Sequence, residues 1–171
     1  MKSEQAIMRP HDIVVLLKII SYGEKPWLQK PMASELAISQ SELSKSISRS
    51  KNARLLDTSG RKVRRLALMD FIESGIAHVF PQHPGTIVRG IATSHSASPL
   101  KEHIQSDDNY VWPSAKGNMK GQAIMPLYKT LPEATLNDIK LYEMLTLVDA
   151  IRVGNAREKK IAISELKKRI L

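Results

Sequence analysis

The chain holds 171 residues with Lys+Arg 26 against Asp+Glu 17, giving a formal net charge of +9 and a pI near 9.8. That length predicts one domain, or one small domain with an appendage, and 42% apolar residues suffice for a core, which excludes a mainly disordered chain. With no cysteine there is no disulfide, no Cys-ligated zinc or iron–sulfur cluster, and no thiol nucleophile.

The longest apolar runs, such as Ile13 to Leu17, fall far short of the roughly 18 residues that span a bilayer. Met1-Lys2-Ser3-Glu4-Gln5 begins basic, but the apolar stretch and cleavage site of an export signal do not follow. The expectation is an unexported protein with no membrane contact, cytoplasmic and nucleoid-associated. The charge is uneven: residues 1–70 carry net +6, 71–135 net 0 and 136–171 net +3. Between 40 and 65, Lys45, Arg49, Lys51, Arg54, Arg61, Lys62, Arg64 and Arg65 face only Glu42 and Asp57, the footprint of a polyanion-binding surface.

Ile13, Leu16, Leu17 and Ile20 predict a helix over 11–21, with Pro10 in its first turn and Gly23 just beyond its end. Pro26-Trp27-Leu28 reads as a short extended link. A second helix fits Lys30–Leu36, since Pro31 is tolerated only in a first turn. Ser39 can N-cap a third helix, with Glu42 completing a capping box and Leu43 and Ile47 forming its docked face. Thr58-Ser59-Gly60-Arg61, between Leu55-Leu56 and Val63, signals a small β-hairpin, and a fourth helix fits Arg65–Ala77. Residues 81–135 are rich in proline and glycine and predict short strands such as Thr86–Ala92 among loops. Asn137–Arg152 is helical again, and Asn155 with Glu158 makes a capping box for a last helix over 156–170. The predicted fold class is mainly α with a small β component (α+β), divided into 1–78, a loop-rich 79–135, and 136–171.

Helices two and three meet the demands of a helix-turn-helix: Ala33 is the small contact, Ile38 plugs the turn, Ser39 caps, and Leu43 and Ile47 dock the third helix. The run Ala33-Ser34-Glu35-Leu36-Ala37-Ile38-Ser39, then Glu42-Leu43-Ser44-Lys45-Ser46-Ile47, resembles the DNA-binding helix-turn-helix of bacterial repressors. With the helix at 11–21, Trp27-Leu28 as a strand and the Gly60 hairpin, residues 10–66 resemble a winged helix of the MarR type. Ala37 departs from that pattern, which usually has glycine in a left-handed turn.

The docked face leaves Gln40, Ser41, Ser44, Lys45, Ser48 and Arg49 outward, as candidate base or phosphate contacts. Arg54, Arg61, Lys62, Arg64 and Arg65 are candidate backbone or minor-groove contacts. The resemblance implies double-stranded DNA as partner and a homodimer, formed through helices outside the DNA-binding core, that reads a pseudo-palindrome. Residues 81–132 are the expected seat of a small-molecule or protein effector.

Catalysis and cofactors are not expected. No Gly-Xaa-Ser-Xaa-Gly surrounds a serine, and Gly117-Asn118-Met119-Lys120-Gly121 is not a phosphate-binding loop. The histidines at 78, 83, 95 and 103, with Asp107 and Asp108, lack metal-ligand spacing, so a small metal-dependent enzyme stands only as a third reading. The function expected is a sequence-specific DNA-binding regulator, a repressor, with an antitoxin-like or adaptor protein that binds an operon-encoded partner as the alternative.

Overall fold

The computed structural model describes residues 7–171; the N-terminal pentapeptide lies outside them. The described residues form eight α-helices and one three-stranded sheet, a mainly helical α+β fold. Among the described residues no helix is long and apolar enough to cross a membrane.

Helix α1 (Pro10–Ser21) is buried without interruption from His11 to Ile20. A helix covered on every side belongs at the centre of a fold, and α1 packs against α3 on one side and α7 on another. Helix α2 (Gln29–Leu36) follows an unpaired extended link, so the strand expected at Trp27-Leu28 does not form; Leu28 instead precedes the first turn of α2. Ala37 ends α2 in the left-handed conformation, φ 55° and ψ 42°, and its N–H reaches back to Ser34 O. That conformation costs an L-residue about 1–2 kcal/mol, of which glycine's greater unfolded-state freedom returns roughly half. Ala37→Gly is therefore expected to raise stability by about 0.5–1 kcal/mol, read as a higher urea midpoint at unchanged slope. A fall in midpoint would show that the turn relies on the alanine methyl.

Helix α3 (Gln40–Asn52) starts at Ser39, whose Oγ accepts from Glu42 N–H at 3.0 Å. The capping box is only half made, because the Glu42 carboxylate turns to His11 and Arg49. The expected hairpin shrinks to one bridge, Leu56 to Val63, around a tight turn. The predicted fourth helix is broken at Gly75 into α4 (Arg65–Ser74) and α5 (Ile76–Val79).

Strands β1 (Ile87–Ala92), β2 (Tyr110–Pro113) and β3 (Met119–Ala123) each pair with the other two: β1 antiparallel to both, β2 parallel to β3. So small a closed sheet requires backbones to approach without side chains between them. A Cβ on Gly90 would lie 2.1 Å from Trp112 O, and one on Gly117 2.0 Å from Gly90 O. Two single 3-10 turns, Ser94–Ser96 and Leu100–Glu102, connect β1 to β2.

After the short α6 (Leu131–Ala134), helices α7 (Ile139–Val153) and α8 (Ala156–Ile170) pack on each other. The Asn155–Glu158 capping box is present in full. The apolar stripe of α7 is covered within the chain, since Met144 to Arg152 are buried without a gap. A single core cluster runs from Ile13 through Leu56, Ile76, Trp112 and Leu131 to Ile170, so the three sequence segments share one interior.

Candidate nucleic-acid interface

Helix α3 is held on α1 by a polar clamp. Asp12, fully buried, accepts Ser46 Oγ at 2.6 Å, Arg49 Nη2 at 2.8 Å, Arg49 Nε at 2.9 Å and the Arg9 N–H at 2.8 Å. The two Arg49 bonds form a bidentate pair, the strongest geometry a carboxylate and a guanidinium can share. Arg49 also donates to Glu42 Oε1 at 3.0 Å, and His11 Nε2 lies 2.7 Å from the same oxygen. Burial opposes the Glu42 charge, but the hydrogen bonds from Arg49 and His11 outweigh it and hold the carboxyl below its usual range.

Arg49 is therefore not available to a groove. The sequence places it outward, whereas it is 8% exposed with its guanidinium turned toward α1. At 100° per residue it falls on the flank of the docked face, from which its long side chain reaches Asp12. Ser46 and Ser50, both fully buried, complete the docked face with Leu43 and Ile47.

The clamp leaves Gln40, Ser41, Ser44, Lys45 and Ser48 exposed on the opposite side of α3, joined by Lys51 and Asn52. No carboxylate shares that face. Beyond α3, Asp57 accepts the N–H groups of Lys62 and Arg61 at 3.0 Å each and the Ser59 hydroxyl at 2.8 Å, and these bonds keep its carboxyl below the usual range. They close a turn, with Gly60 at φ +74°, that displays Lys62. Arg54, itself at φ 59°, and Arg64 are exposed nearby in the chain.

Two further sequence candidates are engaged by the protein. Arg61 lies 4.7 Å from the Trp27 ring centroid and donates to Trp27 O at 2.9 Å. Half-buried Arg65 donates to Ile170 O at 2.9 Å and so caps the last turn of α8. Among the described ion pairs none involves Lys45, Lys51, Arg54, Lys62 or Arg64, so their charge is uncompensated.

No protein-family model matches this chain. Nor is there a match among curated proteins or solved structures. The reading of the site rests on its own chemistry.

A second clamp ties α2 to α1 and to the start of α7. Buried Lys18 of α1 bonds Glu35 of α2 at 2.7 Å and Asp138, the N-cap of α7, at 2.6 Å. The bond from Lys18 holds the Glu35 carboxyl below its ordinary value, and burial together with Glu35 pushes the Tyr22 hydroxyl up. Segment 127–131 lies against the same assembly: Thr130 Oγ1 donates to Leu36 O and the His11 and Tyr128 rings are 5.2 Å apart. Only about 10 Å³ remains beneath it, lined by Tyr128, Thr130 and Leu131 among others, and the two larger clefts are lined by no residue of 81–132. His95, the buried member of the histidine set, packs on Tyr110 with Nε2 bonded to Asp108 O. Among the described residues no three His, Asp or Glu side chains converge as metal ligands.

The sequence reading missed Asp12 and Ser46 as the residues that orient α3. The available signal was an acid in the first turn of an otherwise apolar helix, which also reads as an ordinary response to the helix dipole.

Proposed function

We propose that this chain is a sequence-specific double-stranded DNA-binding regulator of the helix-turn-helix type, acting as a homodimeric repressor. The supporting observation is the exposed face of α3: Gln40, Ser41, Ser44, Lys45 and Ser48 offer donors and one cation with no opposing carboxylate, because the one acid of α3 is turned inward. Such a face suits the major groove, where Gln reads adenine, Lys reads guanine and Ser serves several edges. Arg54, Lys62 and Arg64 supply phosphate contacts. Two copies would set their α3 helices one DNA turn, about 34–36 Å, apart on an inverted repeat.

The test is retention of fragmented genomic DNA near physiological salt, followed by titration of the sites recovered. Lys45→Ala is expected to cost about 1–3 kcal/mol on the preferred site and to relax the preference at one base position. Lys62→Ala should weaken all sequences alike and reduce the salt slope by about one. Retention without a shared motif would reduce the surface to a backbone grip, and a protein partner would then replace DNA as the reading. Affinities untouched by either substitution would remove α3 from the interface.

A further inference from the structure

Asp12 pins the middle and far half of α3, through Ser46 and Arg49. The start of α3, which carries Gln40 and Ser41, is tied to α1 by Glu42, whose Oε1 meets His11 and Arg49. A guanidinium only donates and a carboxylate only accepts, so His11 Nε2 can serve one of its two neighbours. Glu42 Oε1 stands at 2.7 Å and Arg49 Nη2 at 3.0 Å, so the closer contact has Nε2–H donating to Glu42. The His11 ring is thus a link between α1 and the first turn of α3.

That ring is held in turn from outside the helix-turn-helix. The Tyr128 ring lies 5.2 Å from it, tilted by 48°. Two residues on, Thr130 Oγ1 donates to Leu36 O at 3.1 Å. Leu36 is the last residue of α2, where carbonyls lack an intrahelical partner. Ile38, in the turn between α2 and α3, shares with Tyr128 and Thr130 a cavity of only about 10 Å³. Segment 127–131 therefore meets the end of α2, the turn, and the ring that holds the start of α3. Upstream the same segment is fixed to the sheet: fully buried Ile124 donates its N–H to Val111 O of β2 at 2.9 Å, and Leu127 is buried.

We infer that Tyr128 and Thr130 are positioning residues for α3, setting the angle of its first turn and linking that angle to the small sheet. Neither touches the outward face of α3; Tyr128 acts through His11 and Glu42, and Thr130 through the end of α2. The consequence for DNA rests on the reading proposed above, in which the N-terminal residues of the recognition helix meet the bases. The consequence for helix orientation does not.

Residual dipolar couplings of the α3 amides, read against those of α7 in the free full chain, measure that orientation without DNA. Tyr128→Ala and Thr130→Val should each rotate α3 beyond experimental error. Tyr128→Phe, which keeps the ring, and Thr130→Ser, which keeps the donor, should leave it in place. On the site recovered from genomic DNA, the first two variants should bind about three- to thirtyfold more weakly per folded molecule. Their salt slope should be unchanged, because no cation is lost. A lower urea midpoint with α3 unrotated would make the two residues merely structural and overturn the inference. Rotation with unchanged affinity on a selected site would overturn it too. Rotation in a chain that selects no DNA site would uphold the positioning and remove the DNA reading instead.

Discussion

Asp149→Ala is expected to cost about 3–5 kcal/mol of folding stability, because it breaks a buried, hydrogen-bonded ion pair. Asp149 is 1% exposed on α7. Its Oδ2 accepts Thr93 Oγ1 at 2.7 Å and Trp112 Nε1 at 2.6 Å, and its Oδ1 accepts Arg152 Nη1 at 3.0 Å. Complete burial pushes the carboxyl up; Arg152, Thr93 and Trp112, donors all, oppose that push. Arg152 carries the connection onward, through Nε to Phe80 O at 2.9 Å. One carboxylate thus pins the end of β1, strand β2 and the exit of α5 to the central helix. Alanine would leave a buried guanidinium without its counter-charge and two buried donors without acceptors. Trp112→Phe keeps most of the ring and removes one donor, so about 1–3 kcal/mol is expected, and less on top of Asp149→Ala, because both remove the same bond. Urea unfolding followed by far-ultraviolet circular dichroism, which reads the helices and not the substituted ring, measures each corner of that cycle. A loss below 1 kcal/mol for Asp149→Ala, or strict additivity, would show that the small sheet is held by its apolar contacts and the glycine approaches alone.

Helices whose apolar residues repeat on one stripe were legible. The expected spans of α1, α2, α7 and α8 lie within two residues of those observed, and α3 starts where Ser39 predicts. What periodicity did not convey was centrality: α1 and α7 each show a stripe, yet both are buried all round, because other elements cover their polar flanks. The closed sheet was illegible for another reason. Its register depends on Gly90, Gly117 and Gly121 allowing backbone contacts between segments far apart in sequence, and a glycine in a loop-rich stretch reads first as a turn. At the candidate interface, the concentration of cations was plain, but not the fate of each one. Arg49, Arg61 and Arg65 look like their neighbours in composition; each is bound to a partner at least 34 positions away in sequence. Long-range pairing of a charged side chain has no local signature.

If α3 is the recognition helix proposed above, Arg49 gives the sharpest separation between holding that helix and reading DNA with it. Arg49→Ala is expected to cost about 3–5 kcal/mol of stability, since it strips the bidentate partner from fully buried Asp12 and leaves only Ser46 and the Arg9 N–H there. Arg49→Lys should recover little, because a point charge on a flexible stem cannot make two parallel bonds. Asp12→Ala should cost a similar amount, and the double substitution less than the sum. Arg49 touches no phosphate in this arrangement. At a temperature where the variant is folded, it should therefore weaken binding to every sequence by tilting α3 while leaving the salt slope unchanged. Lys62→Ala, by contrast, should lower that slope by about one. A base-reading arginine would behave the other way: stability untouched, and preference relaxed at a single guanine by about 1–3 kcal/mol. Paired urea and salt titrations on Arg49→Ala and Lys45→Ala distinguish the two cases. Stable protein with a one-position loss of preference in Arg49→Ala would return that residue to the groove and require the Asp12 clamp to open when DNA binds.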